Sequence, residues 1–150
     1  MSNNIIPRNN SILLVEDNPD DVLITRRALL KGRVKNTLHV VGDGEKAIKF
    51  LRKEDEYQKS PTPTLILLDL KMPKLDGFQV LKEIKSDDKL KSIPVIVLTT
   101  SDRDKDVEDA YRLGCNSYIV KPVSFENFIN TVVKIKEYWL TISQIPSELR

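Results

Sequence analysis

The sequence predicts an α/β protein: a doubly wound, five-stranded parallel sheet with helices on both faces. Three observations predict it. Five short runs, Ser11–Val15, Leu38–Val41, Leu65–Leu68, Pro94–Leu98 and Ser117–Val120, are largely apolar without strict alternation. Such runs read as strands buried on both faces, which belong to a parallel sheet covered by helices. Between them lie segments with apolar residues at three- and four-residue spacing, the period of an amphipathic helix. Each strand run closes in polar or turn residues, so strand and helix alternate through the chain. Right-handed crossovers and one reversal of strand order complete such a sheet.

Met1 to Asn10 is polar, contains Pro7 and reads as a flexible N-terminal arm. After the first strand, Asn18-Pro19-Asp20-Asp21 is a helix start: a capping Asn, Pro at the first position and acids in the first turn. That helix carries Val22 to Leu30 and stops at Gly32. Gly42-Asp43-Gly44 turns into a second helix with Ala47, Ile48 and Leu51 on one side, and Arg52 to Pro63 is a surface loop. The third helix holds Phe78, Leu81 and Ile84. A fourth covers about Asp104 to Leu113, ended by Gly114. The fifth starts near Ser124 and carries Phe125, Phe128, Ile129, Val132, Val133 and Ile135. The reading is one domain over 11–137, with 138–150 as a C-terminal tail broken by Pro146.

A chain of 150 residues suits one domain with a real core. A net charge of +2 gives no argument for nucleic acid. The longest apolar runs are strand-sized, so no membrane span is expected. MSNNIIPRNN lacks the apolar core of an export signal, and the single cysteine, Cys115, allows no internal disulfide. Both fit a cytoplasmic protein.

In a parallel sheet all carboxyl ends point to one edge, where open α/β sheets bind their ligands. The first strand delivers Glu16 and Asp17 there, the third Asp69, the fourth Thr99 and the fifth Lys121. Each residue alone has a bland reading as a cap, a loop acid or a surface lysine; their coincidence on four strands does not. Carboxylates gathered in one cleft repel, and their ionised forms coexist best around a cation. An all-oxygen set with few protein ligands suits Mg²⁺. Hydroxyl and ammonium complement an anion. Together they describe a phosphoryl-transfer site with Asp69 as acceptor.

Four motifs carry a resemblance to a known family. They are VED at Val15 to Asp17, LLDLKMPKLDG at Leu67 to Gly77, VLTT at Val97 to Thr100, and SYIVKP at Ser117 to Pro122. In order and spacing the chain from about Ile12 to Lys136 resembles the receiver domains of two-component response regulators. The resemblance implies a flavodoxin-like sheet of order 2-1-3-4-5. It implies that Asp69 accepts phosphate from a phosphohistidine on a sensor histidine kinase. Glu16, Asp17, Asp69 and the Lys71 backbone carbonyl would hold Mg²⁺, and Thr99, Thr100 and Lys121 would bind the phosphoryl oxygens. Thr99 and Tyr118 would form the switch pair, Lys71 and Ser101 would face the cleft mouth and tune dephosphorylation, and the Lys121–Pro122 bond would be cis. Such a protein is a phospho-accepting switch rather than an enzyme, catalysing only its own phosphotransfer and autodephosphorylation. The loop EDEYQKSPTP and the tail EYWLTISQIP are similar to those of small regulators partnered with phytochromes. That subfamily implies a homodimer through the fourth helix, fifth strand and fifth helix, joined by the tail with Tyr138, Trp139, Leu140, Ile142 and Ile145. The bland reading of those tail residues is packing onto their own domain.

Three other functions compete. An aspartyl-nucleophile phosphatase usually places a second acid two residues beyond the first, where this chain has Lys71. A flavin carrier would want a hydroxyl-rich loop in place of Glu16-Asp17-Asn18. A phosphorelay intermediate would share every motif above. His39 lacks a metal-spaced partner, and Cys115 reads as a small packing residue.

Overall fold

The computed structural model describes residues 11–72 and 74–141. The expected N-terminal arm and the tail residues Ile142, Ile145 and Pro146 lie outside them. Five strands and five helices alternate: β1 (Ser11–Val15), α1 (Pro19–Lys31), β2 (Thr37–Val41), α2 (Gly44–Arg52), β3 (Leu65–Leu68), α3 (Gly77–Ser86), β4 (Val95–Thr99), α4 (Asp104–Arg112), β5 (Ser117–Val120) and α5 (Phe125–Ile135). All pairings are parallel, in the order β2-β1-β3-β4-β5, as the resemblance implies.

The pleat divides the core in two. Leu13, Val15, Ile66, Leu68, Val95 and Val97 face one side and pack on α2, α3 and Ala110 of α4. Ile12, Leu14, Leu65, Leu67, Ile96 and Leu98 face the other and pack on Ala28 and Leu29 of α1 and Phe128, Val132 and Ile135 of α5. The period-two alternation of strand side chains explains the division. Burial on both faces explains why the strand runs are continuously apolar.

Side-chain caps start α1, α2, α3 and α5, Asn18 as read in the sequence. The Asn18 side chain accepts from the amides of Asp20 and Asp21. Asp43 accepts from the Lys46 amide and Ser124 from the Asn127 amide. Asp76 and Gln79 form a reciprocal capping box on α3. β4 lies one residue later than expected: Pro94 has no N–H to give and contributes only its carbonyl, to the Ile66 amide at 3.0 Å. A short 3₁₀ turn, Asp55–Tyr57, lies in the loop before β3. α5 runs on as a π-helical turn, Lys136–Thr141, in which Leu140 is buried and Trp139 packs on the α1–α5 core. His39 packs against Phe50, with ring centroids 5.4 Å apart. No peptide bond among the described residues is cis, so Lys121–Pro122 is trans, against the implied cis form. For a bond to proline the two forms differ by only about 0.5–1 kcal/mol.

Two glycines close the helices against the exit of β3. A Cβ on Gly77 would lie 2.4 Å from the Asp69 carbonyl oxygen, and one on Gly44 2.0 Å from that of Leu75. Gly42 has nothing within 4 Å of the same position. Gly77→Ala is expected to destabilise the protein by about 2 kcal/mol or more, because backbone must shift to admit the methyl. Gly42→Ala is expected to stay near neutral. Urea denaturation of the two variants measures the contrast.

Candidate functional site

The site is built at the carboxyl edge, where register brings the strand exits level. Val15 pairs with Leu68, so Glu16 and Asp69 leave adjacent strands side by side. Their backbones stay tied to the sheet. The Glu16 amide donates to the Val41 carbonyl at 3.0 Å, and the Asp69 amide to the Val15 carbonyl at 3.1 Å. Thr99 ends β4, and the Lys121 amide donates to its carbonyl at 2.7 Å.

Carboxylate oxygens of Glu16, Asp17 and Asp69 all lie within 4.8 Å of one another. Glu16 is 2 % and Asp69 8 % exposed, whereas Asp17 faces solvent. The buried Lys121 ammonium lies 2.6 Å from Glu16 Oε1, 3.2 Å from Asp21 Oδ2 and 3.8 Å from Asp69 Oδ2. It therefore sits against Glu16 more closely than against Asp69. Burial pushes the Glu16 carboxyl up to about 7; Lys121 opposes this, and the charge of Asp69 adds to it. Burial would lower the Lys121 ammonium, but Glu16, Asp69 and Asp21 outweigh it and raise it.

Three carboxylates converging with one ammonium make a hard, anionic donor set. Such a set fits a divalent cation with oxygen ligands. The Lys71 amide donates to Asp69 Oδ1 at 3.4 Å, which folds the loop after β3 back over the acid. Thr100 is exposed and lines, with Lys121, Ile24, Arg27, Val123 and Phe125, a cavity of about 420 Å³ beside the acids.

The structure brings Glu16, Asp17, Asp69 and Lys121 together. Tyr118 is half-buried and donates its hydroxyl to the Ser101 carbonyl at 2.9 Å. Ser101 departs from the implied placement at the cleft mouth. It is 6 % exposed, and its hydroxyl is turned to Asp106 Oδ2 at 2.5 Å. Sequence reasoning missed two residues. Asp21 read as a helix-start acid, and only the fold shows that its carboxylate reaches Lys121, 100 positions away. Asp106 sits in the first turn of α4, where acids are common, and nothing in the sequence marks it as buried.

Comparison with known proteins follows the same lines. A model of the family described as the response regulator receiver domain matches residues 12–133. The chain is 43% identical over 135 residues to the probable methanogenesis regulatory protein FilR2 of Methanothrix harundinacea, covering 90% of this chain and 86% of the relative. It is 41% identical over 136 residues to response regulator Rcp1 of Synechocystis, covering 91% and 92%. It superposes on the phosphorylated cyanobacterial phytochrome response regulator RcpA with a TM-score of 0.84 and 43% identity, covering 90% of this chain and 96% of that one. The Mn²⁺-bound form of Rcp1 gives a TM-score of 0.81 at 42% identity, covering 88% and 95%. The architecture, the convergent acids and these likenesses agree: the chain belongs to the response regulator receiver-domain family of two-component signalling.

Proposed function

We propose that Asp69 accepts a phosphoryl group from a phosphohistidine on a sensor histidine kinase of the phytochrome type, in the cytoplasm, and that the resulting acyl phosphate switches a protein-binding face. The observation that carries this is the cluster of Glu16, Asp17 and Asp69 with the Lys121 ammonium 3.8 Å from Asp69. The likeness to Rcp1 and RcpA supports the kind of kinase.

An Asp69 oxygen attacks phosphorus, the P–N bond breaks, and the imidazole leaves to give aspartyl phosphate and free histidine. Burial strips Asp69 of most of its water, and the β1 ladder holds its backbone, so little reorganisation precedes attack. Lys121 stands close enough to move its ammonium from Glu16 to a phosphoryl oxygen. Thr99 and Thr100, at the next strand exit, offer hydroxyl and amide donors to the others. Glu16, Asp17, Asp69 and the Lys71 carbonyl would hold Mg²⁺, which when bound offsets the charge on the phosphoryl oxygens.

The face that reads the switch is α4, β5 and α5. Among its residues Tyr111 is 50 % exposed, Val120 41 %, and Tyr138, on the turn after α5, 58 %. β5 is also an edge strand. A homodimer through this face, extended by the tail, would cover them.

Three outcomes check this reading. With acetyl phosphate and Mg²⁺, the wild type gains one phosphoryl group by intact mass, and Asp69→Asn gains none. Mg²⁺ affinity, followed by tryptophan fluorescence or calorimetry, falls as pH drops from 8 to 6. The protonated Glu16 cannot serve a cation, and a single group titrating near 7 weakens binding about tenfold across that window. Sedimentation of the protein with Mg²⁺ and an acyl-phosphate analogue shows a dimer at tens of micromolar; a monomer there removes the dimer.

A further inference from the structure

Ser101 is a hub at the exit of β4, and all its polar groups are engaged. Its amide donates to Thr99 Oγ1 at 3.4 Å. Its carbonyl accepts from the Tyr118 hydroxyl at 2.9 Å. Its hydroxyl donates to Asp106 Oδ2 at 2.5 Å and accepts weakly from the Arg103 amide at 3.4 Å. Asp106 is 9 % exposed, on a helix whose N-cap residue, Arg103, supplies no side-chain cap. A buried carboxylate is costly unless paired, so the bond to Ser101 is the strong member of this network. Tyr111 ties the same helix to β5, its hydroxyl accepting from the Tyr118 amide at 3.2 Å. The loop between Thr99 and α4 is thus pinned by one short contact at Ser101, and the same residue's amide reaches the Thr99 hydroxyl.

We propose that Asp106 is a positioning residue for phosphoryl transfer: through Ser101 it fixes the loop after β4 and thereby the orientation of the Thr99 hydroxyl at the strand exit next to Asp69. This rests on Asp69 being the phosphoryl acceptor and adds a residue that never touches the phosphoryl group. Thr99 is wholly buried and ends β4, so its backbone is set by the sheet. Its hydroxyl accepts from the Ser101 amide at 3.4 Å, so the position of the loop bears on that hydroxyl. Without Asp106 the Ser101 hydroxyl loses its partner, the loop relaxes, and the Thr99 hydroxyl spends less time in reactive register.

The test follows phosphorylation by acetyl phosphate with Mg²⁺ on a phosphate-affinity gel, with thermal melts of each variant. Asp106→Ala is expected to slow phosphorylation about tenfold. Asp106→Asn, which keeps an acceptor for the Ser101 hydroxyl, is expected to recover to within about threefold of wild type. In a Thr99→Ala background the Asp106→Ala effect should vanish, because the residue acts through that hydroxyl. If Asp106→Ala fails to fold, the Ser101→Ala/Asp106→Asn double variant removes the same hydrogen bond without stranding a buried charge and is held to the same criteria. A wild-type rate in Asp106→Ala or in the double variant, or a loss that persists undiminished without the Thr99 hydroxyl, overturns the proposal and leaves the acceptor role of Asp69 intact. A wild-type protein that takes no phosphoryl group on Asp69 overturns both.

Discussion

One constraint organises the carboxyl edge of the sheet: a single buried ammonium stands against more carboxylate than it can neutralise. Lys121 is within 4 Å of Glu16, Asp21 and Asp69, and Asp17 adds a further acid to the cluster. Removing such groups from water costs several kcal/mol per ion, and mutual attraction offsets that only where charge and geometry are matched. Here they are unmatched by design of position. Burial above all, with the charge of Asp69 added, lifts the Glu16 carboxyl to about 7 despite the lysine against it. An edge in that state gains from a divalent cation. A bound cation would offset that surplus.

The rest of the molecule exists to hold that surplus in place. The two packed faces bury β1, β3 and β4 almost completely, so the strands cannot slide to separate the acids. A shift of one residue would move every side chain to the opposite core layer, where the helix side chains do not match it. The glycine contacts act at the same point. Gly77 brings the start of α3 against the Asp69 backbone, and its amide donates to the Leu70 carbonyl at 3.0 Å. A larger residue there would move the loop that carries the acceptor.

Much of this was legible in the sequence, for a physical reason. Burial on both faces leaves continuous apolar runs, and a strand exit is marked by the first polar residue, so Glu16, Asp69 and Thr99 could be placed on one edge without coordinates. The Asn18 cap was legible because it acts on amides two and three positions away; Asp43 and Ser124 cap in the same local way. What failed was long-range or had two local meanings. Asp21 and Asp106 both look like acids that favour a helix start, and only tertiary packing gives one to Lys121 and the other to Ser101. The trans bond before Pro122 and the helical turn beyond residue 135 were illegible for another reason: the local preferences there are weak, and packing decides. Trp139 and Leu140 show this, since their apolar character fits an interface and their own core equally well.

The same packing argument favours α4 as the element that the proposed switch would move. α3 presents Val80, Leu81 and Ile84 to the core, and α5 presents Phe128, Val132 and Ile135. α4 buries only Asp106 and Ala110. A helix that buries one small apolar residue, and is otherwise tied by polar contacts at Asp106 and Tyr111, has little hydrophobic anchorage, and elements that move are drawn from the least stable parts of a fold. Its polar contact leads through Ser101 to the Thr99 hydroxyl on one side and the Tyr118 ring on the other. A chemical change at Asp69 needs only to alter the partner of that hydroxyl to be felt at α4, whereas α3 would resist through its apolar face. Coupling of this kind requires a contiguous physical connection to an element with two arrangements. The connection is hydrogen-bonded, and among the described residues α4 is the helix of the α2–α3–α4 side that buries the fewest apolar side chains.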